Sequence, residues 1–288
     1  MSSKKDMEPI SGAPAPWDEP VRKALHSSID RFFDRISGKR EGRIGQEALF
    51  EASGCPDIGE LELIGMLKEL NELDEDAWSR YVISNDLLRN KVNPIEGAHL
   101  AAQARECGRA WAIRMRDEQQ AASPDELARH LGVEVCDNNA PVSGKRVLFA
   151  QFVPDNHIDL MADPLRRYRS LRSHLLQGVE GAQRDGALGL LPTPETTREL
   201  ILSHELFHVI EDQNESEIFT RTATIRLQKF FGFENRSTLR SLGEIGAGAF
   251  AQEYVGLSFN PFALDILLSW AYDAELSRSL YRDVLACR

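Results

Sequence analysis

The chain has 288 residues, of which 42% are hydrophobic and 27% are charged, and its formal net charge is −11. An acidic balance of this size argues against nucleic acid as the main ligand, because phosphate binding needs a basic face. No apolar run approaches the ~20 residues that span a bilayer, and the four cysteines are scattered without a CxxC pair. We therefore expect a cytoplasmic protein with no direct nucleic-acid partner and no membrane association.

The N-terminal third of the chain carries no chemical motif. Residues 1–20 contain several Pro, Ser and Gly residues, and this composition predicts a disordered leader. Residues 21–92 repeat apolar residues at helical spacing, which predicts a helical region of unknown role. The pattern breaks at Asn93 and Pro94, so we expect this region to be separable from the remainder, residues 93–288.

The elements after residue 93 alternate between helical and strand patterns. A long amphipathic helix is followed by a short helix, which begins with a capping-box pattern at Ser123. Strands are expected over 145–153 and 157–162, because both stretches are rich in β-branched and apolar residues. An arginine-rich helix and a glycine-rich loop are expected over 163–198, ahead of the helix that carries the main motif.

The main motif lies in LILSHELFHVIE, residues 200–211. Residues four apart on a helix share one face, so His204 and His208 can both direct an imidazole nitrogen at one ion. Glu205 lies about 100° round the axis, where it reaches a metal-bound water without coordinating the ion. This HExxH pattern is typical of zincins, which bind Zn²⁺ and use the glutamate as a general base. The alternative is a core helix with two coincidental histidines, but two buried histidines on one face would both need polar partners.

A catalytic zinc normally takes three protein ligands and leaves one position for water. The third ligand must therefore come from elsewhere in the chain. Glu211 and Asp212 lie too close along the same helix to turn back onto the ion. Glu215 and Glu217 are candidates only if the helix ends near Asn214.

Glu244 is the stronger candidate for the third ligand. It lies in SLGEIGAGAFAQEYVGLSFNPFA, where three glycines, Gly243, Gly246 and Gly248, would normally weaken a helix. Their presence suggests close approach to another backbone such as that of the metal helix, which a glutamate needs in order to reach the zinc. The alternative is an exposed glutamate on a helix that packs through small residues.

Three segments in this order, PDELARHLGVEV, LILSHELFHVIE and EIGAGAFAQEYVGLSFNP, resemble the ImmA/IrrE family of zinc metallopeptidases. The resemblance covers about residues 95–265. It implies a compact α+β fold of the gluzincin type, with His204, His208 and Glu244 as ligands and Glu205 as the base. It also implies intracellular proteolysis of a transcriptional repressor or a similar regulator.

The chain departs from the family pattern in two places. Residues 163–198 are an insertion where the family usually has a short link, and the N-terminal residues are not the helix-turn-helix module often attached to such domains. Both departures concern the choice of substrate more than the chemistry.

We therefore predict a mostly helical α+β fold, in which a small β-sheet packs on the HExxH helix of a metallopeptidase domain. The expected function is zinc-dependent hydrolysis of a peptide bond in a protein substrate. A further group must stabilise the oxyanion, and the candidates are Tyr254, His174 and Tyr168. Two alternative functions remain: a regulatory binding protein that keeps the zinc-site scaffold with little protease activity, and a zinc hydrolase that acts on something other than a peptide.

Overall fold

The structure is a computed structural model, and it describes residues 58–139, 149–153, 156–177, 181–230 and 233–288. The predicted leader and residues 21–57 of the predicted helical region lie outside the described residues. The described chain is mostly helical with two small sheets, which confirms the predicted α+β class. None of the described helices is long and apolar enough to cross a bilayer.

The described helices are α1 (Ile58–Asn71), α2 (Glu75–Ser84), a short 3-10 helix (Arg89–Lys91), α3 (Pro94–Gln119), α4 (Pro124–His130), α5 (Ala162–Gln177), α6 (Gly181–Leu190), α7 (Pro194–Gln213), α8 (Phe219–Thr222), α9 (Arg240–Val255), α10 (Ala263–Trp270) and α11 (Ala274–Leu285). The described strands are β1 (Glu134–Asn138), β2 (Ala150–Val153), β3 (His157–Met161), β4 (Ile225–Phe230) and β5 (Phe233–Ser237). Helix α7 carries the HExxH motif, and we call it the metal helix.

The larger sheet has three strands in the order β1-β3-β2. Strand β3 is central, parallel to β1 and antiparallel to β2. Its inward side chains Ile158 and Leu160 are buried in one apolar cluster with Leu202 and Leu206 of the metal helix. The predicted packing of a small sheet on the HExxH helix is therefore confirmed. A separate hairpin, β4-β5, is antiparallel with a register shift near Arg226.

Helix α9 runs between α3 and the metal helix and packs against both. Its residues from Ser241 to Ala251 are all buried, which matches its lack of a polar face. A Cβ atom on Gly108 of α3 would lie 2.1 Å from the carbonyl oxygen of Gly246. The two backbones therefore approach more closely than any side chain would allow, and this contact holds α9 in the centre of the molecule.

The described part of the N-terminal region, residues 58–92, shares its core with the C-terminal helices. Leu63 of α1 and Trp78 of α2 belong to the same apolar cluster as Leu268 and Val284. Among the described residues, this region therefore has no core of its own, and its packing crosses the expected boundary at residue 93.

Candidate metal centre

The metal helix and α9 bring together two histidines and one glutamate that are far apart in sequence. One ligand atom from each of His204, His208 and Glu244 lies within 4.8 Å of the others. Nε2 of His204 is 3.2 Å from Oε2 of Glu244, and Nε2 of His208 is 3.8 Å from Oε1 of the same carboxylate. We call these three residues the ligand group.

Small residues on α9 create the space in which this group forms. A Cβ atom on Gly246 would lie 2.9 Å from the ring of Phe207, and one on Gly243 would lie 3.1 Å from Oε1 of Glu211. Both contacts are with side chains of the metal helix. The glycines thus let α9 lie close enough for Glu244 to reach the two imidazoles, although the contacts run through side chains rather than backbone to backbone.

The ligand atoms of the group lie close enough together to share one ion. The two imidazoles approach different oxygens of the Glu244 carboxylate, at 3.2 and 3.8 Å, and neighbouring ligand atoms of a tetrahedral zinc are roughly 3.3–3.4 Å apart. Nε2 of His208 is buried without a hydrogen-bond partner among the described residues. A buried polar atom of this kind needs an explanation, and a bound cation provides one.

The other nitrogen of His208 is held by a carboxylate. Nδ1 of His208 donates a hydrogen bond to Oε2 of Glu211 at 2.8 Å, and Glu211 is only 1% exposed. Nε of Arg221 lies 3.6 Å from the same oxygen, while Nη2 of Arg221 donates to Asp212 at 2.5 Å. Glu211 lies outside the ligand group, in line with its position on the same helix as the two histidines. Its i,i+3 spacing from His208 is the signal that could have predicted the contact.

The charges round His208 favour a cation at this position. Burial by itself lowers the pKa of His208, but the hydrogen bond to Glu211 and the negative charges of Glu244 and Glu205 outweigh it and raise the pKa to about 9. The surroundings therefore stabilise positive charge on this imidazole. Because a metal ion needs the deprotonated ring, its binding would replace that proton.

Glu205 lies beside the ligand group but outside it. The residue is 6% exposed, and its Oε2 atom is buried without a hydrogen-bond partner among the described residues. Burial raises the pKa of the Glu205 carboxyl, although the neighbouring His204 and His208 lower it in part. A carboxylate with a raised pKa and an oxygen free of other bonds is suited to accept a proton near neutral pH.

His204, Glu205 and Glu244 line one side of a cleft. The residues that line it are Phe149, Ala150, Leu200, Ile201, His204, Glu205, Glu244, Pro261, Phe262, Leu264, Asp265 and Leu268. The lining is thus apolar apart from the metal centre and Asp265. The sequence reasoning missed Asp265, although one acidic residue in the apolar stretch FALDILLSW was a signal for it.

Asp265 lies in the first turn of α10 and is half-buried. Burial is the main cause that raises the pKa of its carboxyl to about 7. The charge of Glu244 raises this pKa further, and a positive charge on His204 lowers it in part. The three charged groups are therefore close enough to influence one another. No hydrogen bond or ion pair engages the Asp265 carboxylate within the described chain.

The structure does not bring the three oxyanion candidates to the cleft. The hydroxyl of Tyr168 donates to the carbonyl of Pro192 at 2.6 Å in the core, and that of Tyr254 donates to Ala121 at 3.0 Å. His174 is buried on α5. None of them is among the described residues that line the cleft.

The alternative third ligands are also placed elsewhere. The metal helix ends at Gln213, and Glu215 and Glu217 lie in the turn that follows. Both residues are exposed, and neither belongs to the ligand group. Asp212 is engaged by Arg221, as described above.

Comparisons of the chain with protein-family models, with curated proteins and with solved structures returned no match. The geometry of the site is therefore the basis on which a function can be proposed.

Proposed function

We propose that this protein is a zinc-dependent metallopeptidase that cleaves a protein substrate. The observation that supports the proposal best is the position of Glu205. One of its carboxylate oxygens is buried without a described partner, and the residue lines the same cleft as His204 and Glu244 of the ligand group. A purely structural metal site has no need of such a base.

The donor set supports zinc as the metal. Two imidazoles and one carboxylate leave room for a fourth position, which is the pattern of catalytic zinc sites. When bound there, Zn²⁺ supplies a Lewis acid that polarises a carbonyl and lowers the pKa of water. The same donor set also suits Fe²⁺ in oxygenases, but oxygen activation does not call for a buried general base, so Glu205 favours hydrolysis.

Each of the surrounding residues has a distinct task in this proposal. The carboxylate of Glu205 accepts the proton of the attacking water and later donates it to the leaving amine. Glu211 accepts a hydrogen bond from Nδ1 of His208. Nε2 is therefore the nitrogen of His208 that faces Glu244. Nε of Arg221 lies 3.6 Å from Oε2 of Glu211, outside the ligand group.

The sheet beside the cleft supports a peptide as the substrate. Phe149 and Ala150 line the cleft at the start of β2. Within the described chain, β2 pairs with β3 and has no strand on its other edge. An extended peptide can add to such an edge through main-chain hydrogen bonds. The resemblance to the ImmA/IrrE family further suggests that the substrate is a transcriptional repressor or a similar regulator.

The proposal is tested with purified wild-type protein and the variant Glu205→Gln, with Glu217→Gln as a matched control at an exposed position. Zinc and iron content are measured after desalting, and each protein is incubated with a cell lysate with and without a chelator. We expect about one zinc per chain in all three proteins, and chelator-sensitive cleavage by the wild type and Glu217→Gln only.

Three outcomes would contradict the proposal. Absence of zinc from protein produced in zinc-supplemented cells would remove its basis. Iron in place of zinc would point to a different class of chemistry. Zinc-loaded wild-type protein that retains a partner from the lysate without cleaving it would favour the regulatory binding protein. The Glu205→Gln variant, which should bind its substrate without turnover, is the reagent for identifying that substrate.

A further inference from the structure

Asp265 is the one charged residue that lines the cleft, among the described residues, without a task in the metal centre. Its carboxylate forms neither a hydrogen bond nor an ion pair in the described chain, and the residue is half-buried. It also lies outside the ligand group of His204, His208 and Glu244. Asp265 is therefore a carboxylate in a mostly apolar cleft, without a partner among the described residues.

Such a group is unfavourable unless something compensates it, because a buried charge needs a counter-charge or hydrogen bonds. The position of Asp265 in the first turn of α10 offsets part of the cost of this charge, because the positive end of a helix dipole favours an acidic side chain. The other lining residues on that side are apolar: Pro261, Phe262, Leu264 and Leu268. They contribute no cation.

The charge balance of the cleft indicates what would compensate Asp265. A divalent cation in the ligand group would balance the carboxylates of Glu205 and Glu244. The Asp265 carboxylate would then be left over, and none of the described lining residues is Lys or Arg. Among the described residues the cleft therefore offers Asp265 no counter-charge, and a cation that enters the cleft with a ligand would supply one.

We propose that Asp265 is a specificity residue that pairs with a cationic group of the substrate, either a Lys or Arg side chain next to the scissile bond or a free amino-terminal ammonium. This inference rests on the proposed function, because it places the cation in the same cleft as the metal centre. Both sources present the same chemistry, a substituted ammonium or guanidinium that forms a charge-assisted hydrogen bond to a carboxylate.

Amino-acid hydroxamates provide the test, because the hydroxamate chelates the metal and holds the rest of the molecule in the cleft. The first pair is N-acetyl-lysine hydroxamate and N-acetyl-norleucine hydroxamate, which differ in the side-chain ammonium. The second pair is leucine hydroxamate and N-acetyl-leucine hydroxamate, which differ in the amino-terminal ammonium. Dissociation constants are measured by calorimetry on zinc-loaded wild type, Asp265→Asn and Asp283→Asn, and the zinc content of each sample is determined.

We expect the wild type to bind the cationic member of one pair about tenfold more tightly than its neutral partner, which is the effect of one charge-assisted contact. The pair that shows the preference identifies the source of the cation. Asp265→Asn should bind both members of that pair nearly equally and keep its zinc. Asp283→Asn removes the same charge from an exposed position and should retain the preference. If Asp265→Asn does not fold, Asp265→Ser serves in the same comparison.

Two results would overturn this inference while leaving the proposed function in place. The first is equal binding of both members of both pairs by zinc-loaded wild type. The second is loss of zinc from Asp265→Asn with zinc retained by Asp283→Asn, which would make Asp265 part of the metal site. Wild-type protein that holds no zinc and binds no hydroxamate would overturn the proposed function and this inference together.

Discussion

Nδ1 of His208 lies 2.8 Å from Oε2 of Glu211, one helical turn further along the metal helix. This hydrogen bond sets the tautomer of the imidazole, so that Nε2 faces Glu244. Removing a carboxylate that binds the second ring nitrogen of a metal-ligating histidine typically lowers metal affinity 10–100-fold. Glu211→Ala should therefore weaken zinc binding by about that factor, measured by competition with a chromogenic chelator.

Glu211→Gln separates the charge of Glu211 from its geometry. The amide oxygen of glutamine can still accept the Nδ1 hydrogen, so this variant should bind zinc with an affinity between those of the wild type and Glu211→Ala. The exposed Glu217→Gln serves as the control and should leave the affinity unchanged. Equal affinities for the wild type and Glu211→Ala would mean that the contact does not orient His208.

The close approach of α3 to α9 leads to a prediction about stability. A Cβ atom on Gly108 would lie 2.1 Å from the carbonyl oxygen of Gly246 and 2.9 Å from the backbone nitrogen of Phe250. Backbone atoms of a buried helix cannot move aside as the end of a side chain can, so Gly108→Ala should force the helices apart. Overpacking of this kind costs about 1–3 kcal/mol, and the loss should appear as a lower urea midpoint.

Gly65 is the matched control for that experiment. It lies inside α1, and a Cβ atom there would have no neighbour within 4 Å. Gly65→Ala should therefore raise the free energy of unfolding by about 0.5–1 kcal/mol, because alanine is the better helix former. If Gly108→Ala raises the midpoint as Gly65→Ala does, the contact between α3 and α9 is not as close as the structure shows.

Asp163 connects the start of α5 to the C-terminal part of the chain. Its carboxylate accepts hydrogen bonds from Tyr272 at 2.8 Å, Arg166 at 2.6 Å and Arg167 at 3.1 Å. Burial alone raises the pKa of Asp163, but these hydrogen bonds outweigh it and lower the pKa below its ordinary value. A depressed pKa in the folded state contributes stability above the unfolded pKa of ~4, and this stability is lost as the pH falls through the folded pKa.

Asp163→Asn should accordingly reduce the free energy of unfolding at pH 7 by about 1–3 kcal/mol. The difference between the wild type and the variant should narrow as the pH is lowered below ~4. Urea unfolding at a series of pH values provides the measurement, with the exposed Asp283→Asn as the control. A difference that stays constant with pH would show that the charge of Asp163 contributes nothing.

Local patterns in the sequence predicted the parts of the fold that depend on short-range geometry. The i,i+4 spacing of His204 and His208 fixes their common helical face whatever surrounds the helix. The glycines round Glu244 indicated close packing, and the structure shows α9 against both α3 and the metal helix. The α+β class followed from the order of the elements.

The contacts between distant elements could not be predicted, because they depend on which helix faces meet and no local sequence pattern specifies this. The amphipathic pattern of residues 58–92 shows that the helices bury a face, but it does not say that Trp78 packs in one cluster with Leu268. The same limit applies to Asp265, which reaches the cleft only because α10 lies against the metal centre. Residue type alone makes Tyr168 and Tyr254 candidates for stabilising an oxyanion, yet both hydroxyls donate hydrogen bonds to backbone carbonyls away from the cleft.

The sharpest prediction concerns the third ligand. The two histidines of the metal helix leave the remaining positions of an ion pointing away from that helix, so the third ligand must come from an opposing element. Glu244 lies on α9, 3.2 Å from Nε2 of His204, whereas Glu217 is exposed in the turn after the metal helix. Glu244→Ala should therefore weaken zinc binding by about two orders of magnitude or more. Removing a ligand costs more affinity than removing a residue that only hydrogen-bonds to a ligand, which typically costs 10–100-fold. Glu217→Ala should leave the affinity nearly unchanged.

Competition with a chromogenic chelator measures the zinc affinity of both variants, and circular dichroism checks that each is folded. If folded Glu244→Ala holds zinc as tightly as the wild type while Glu217→Ala loses it, the proposed ligand group is wrong.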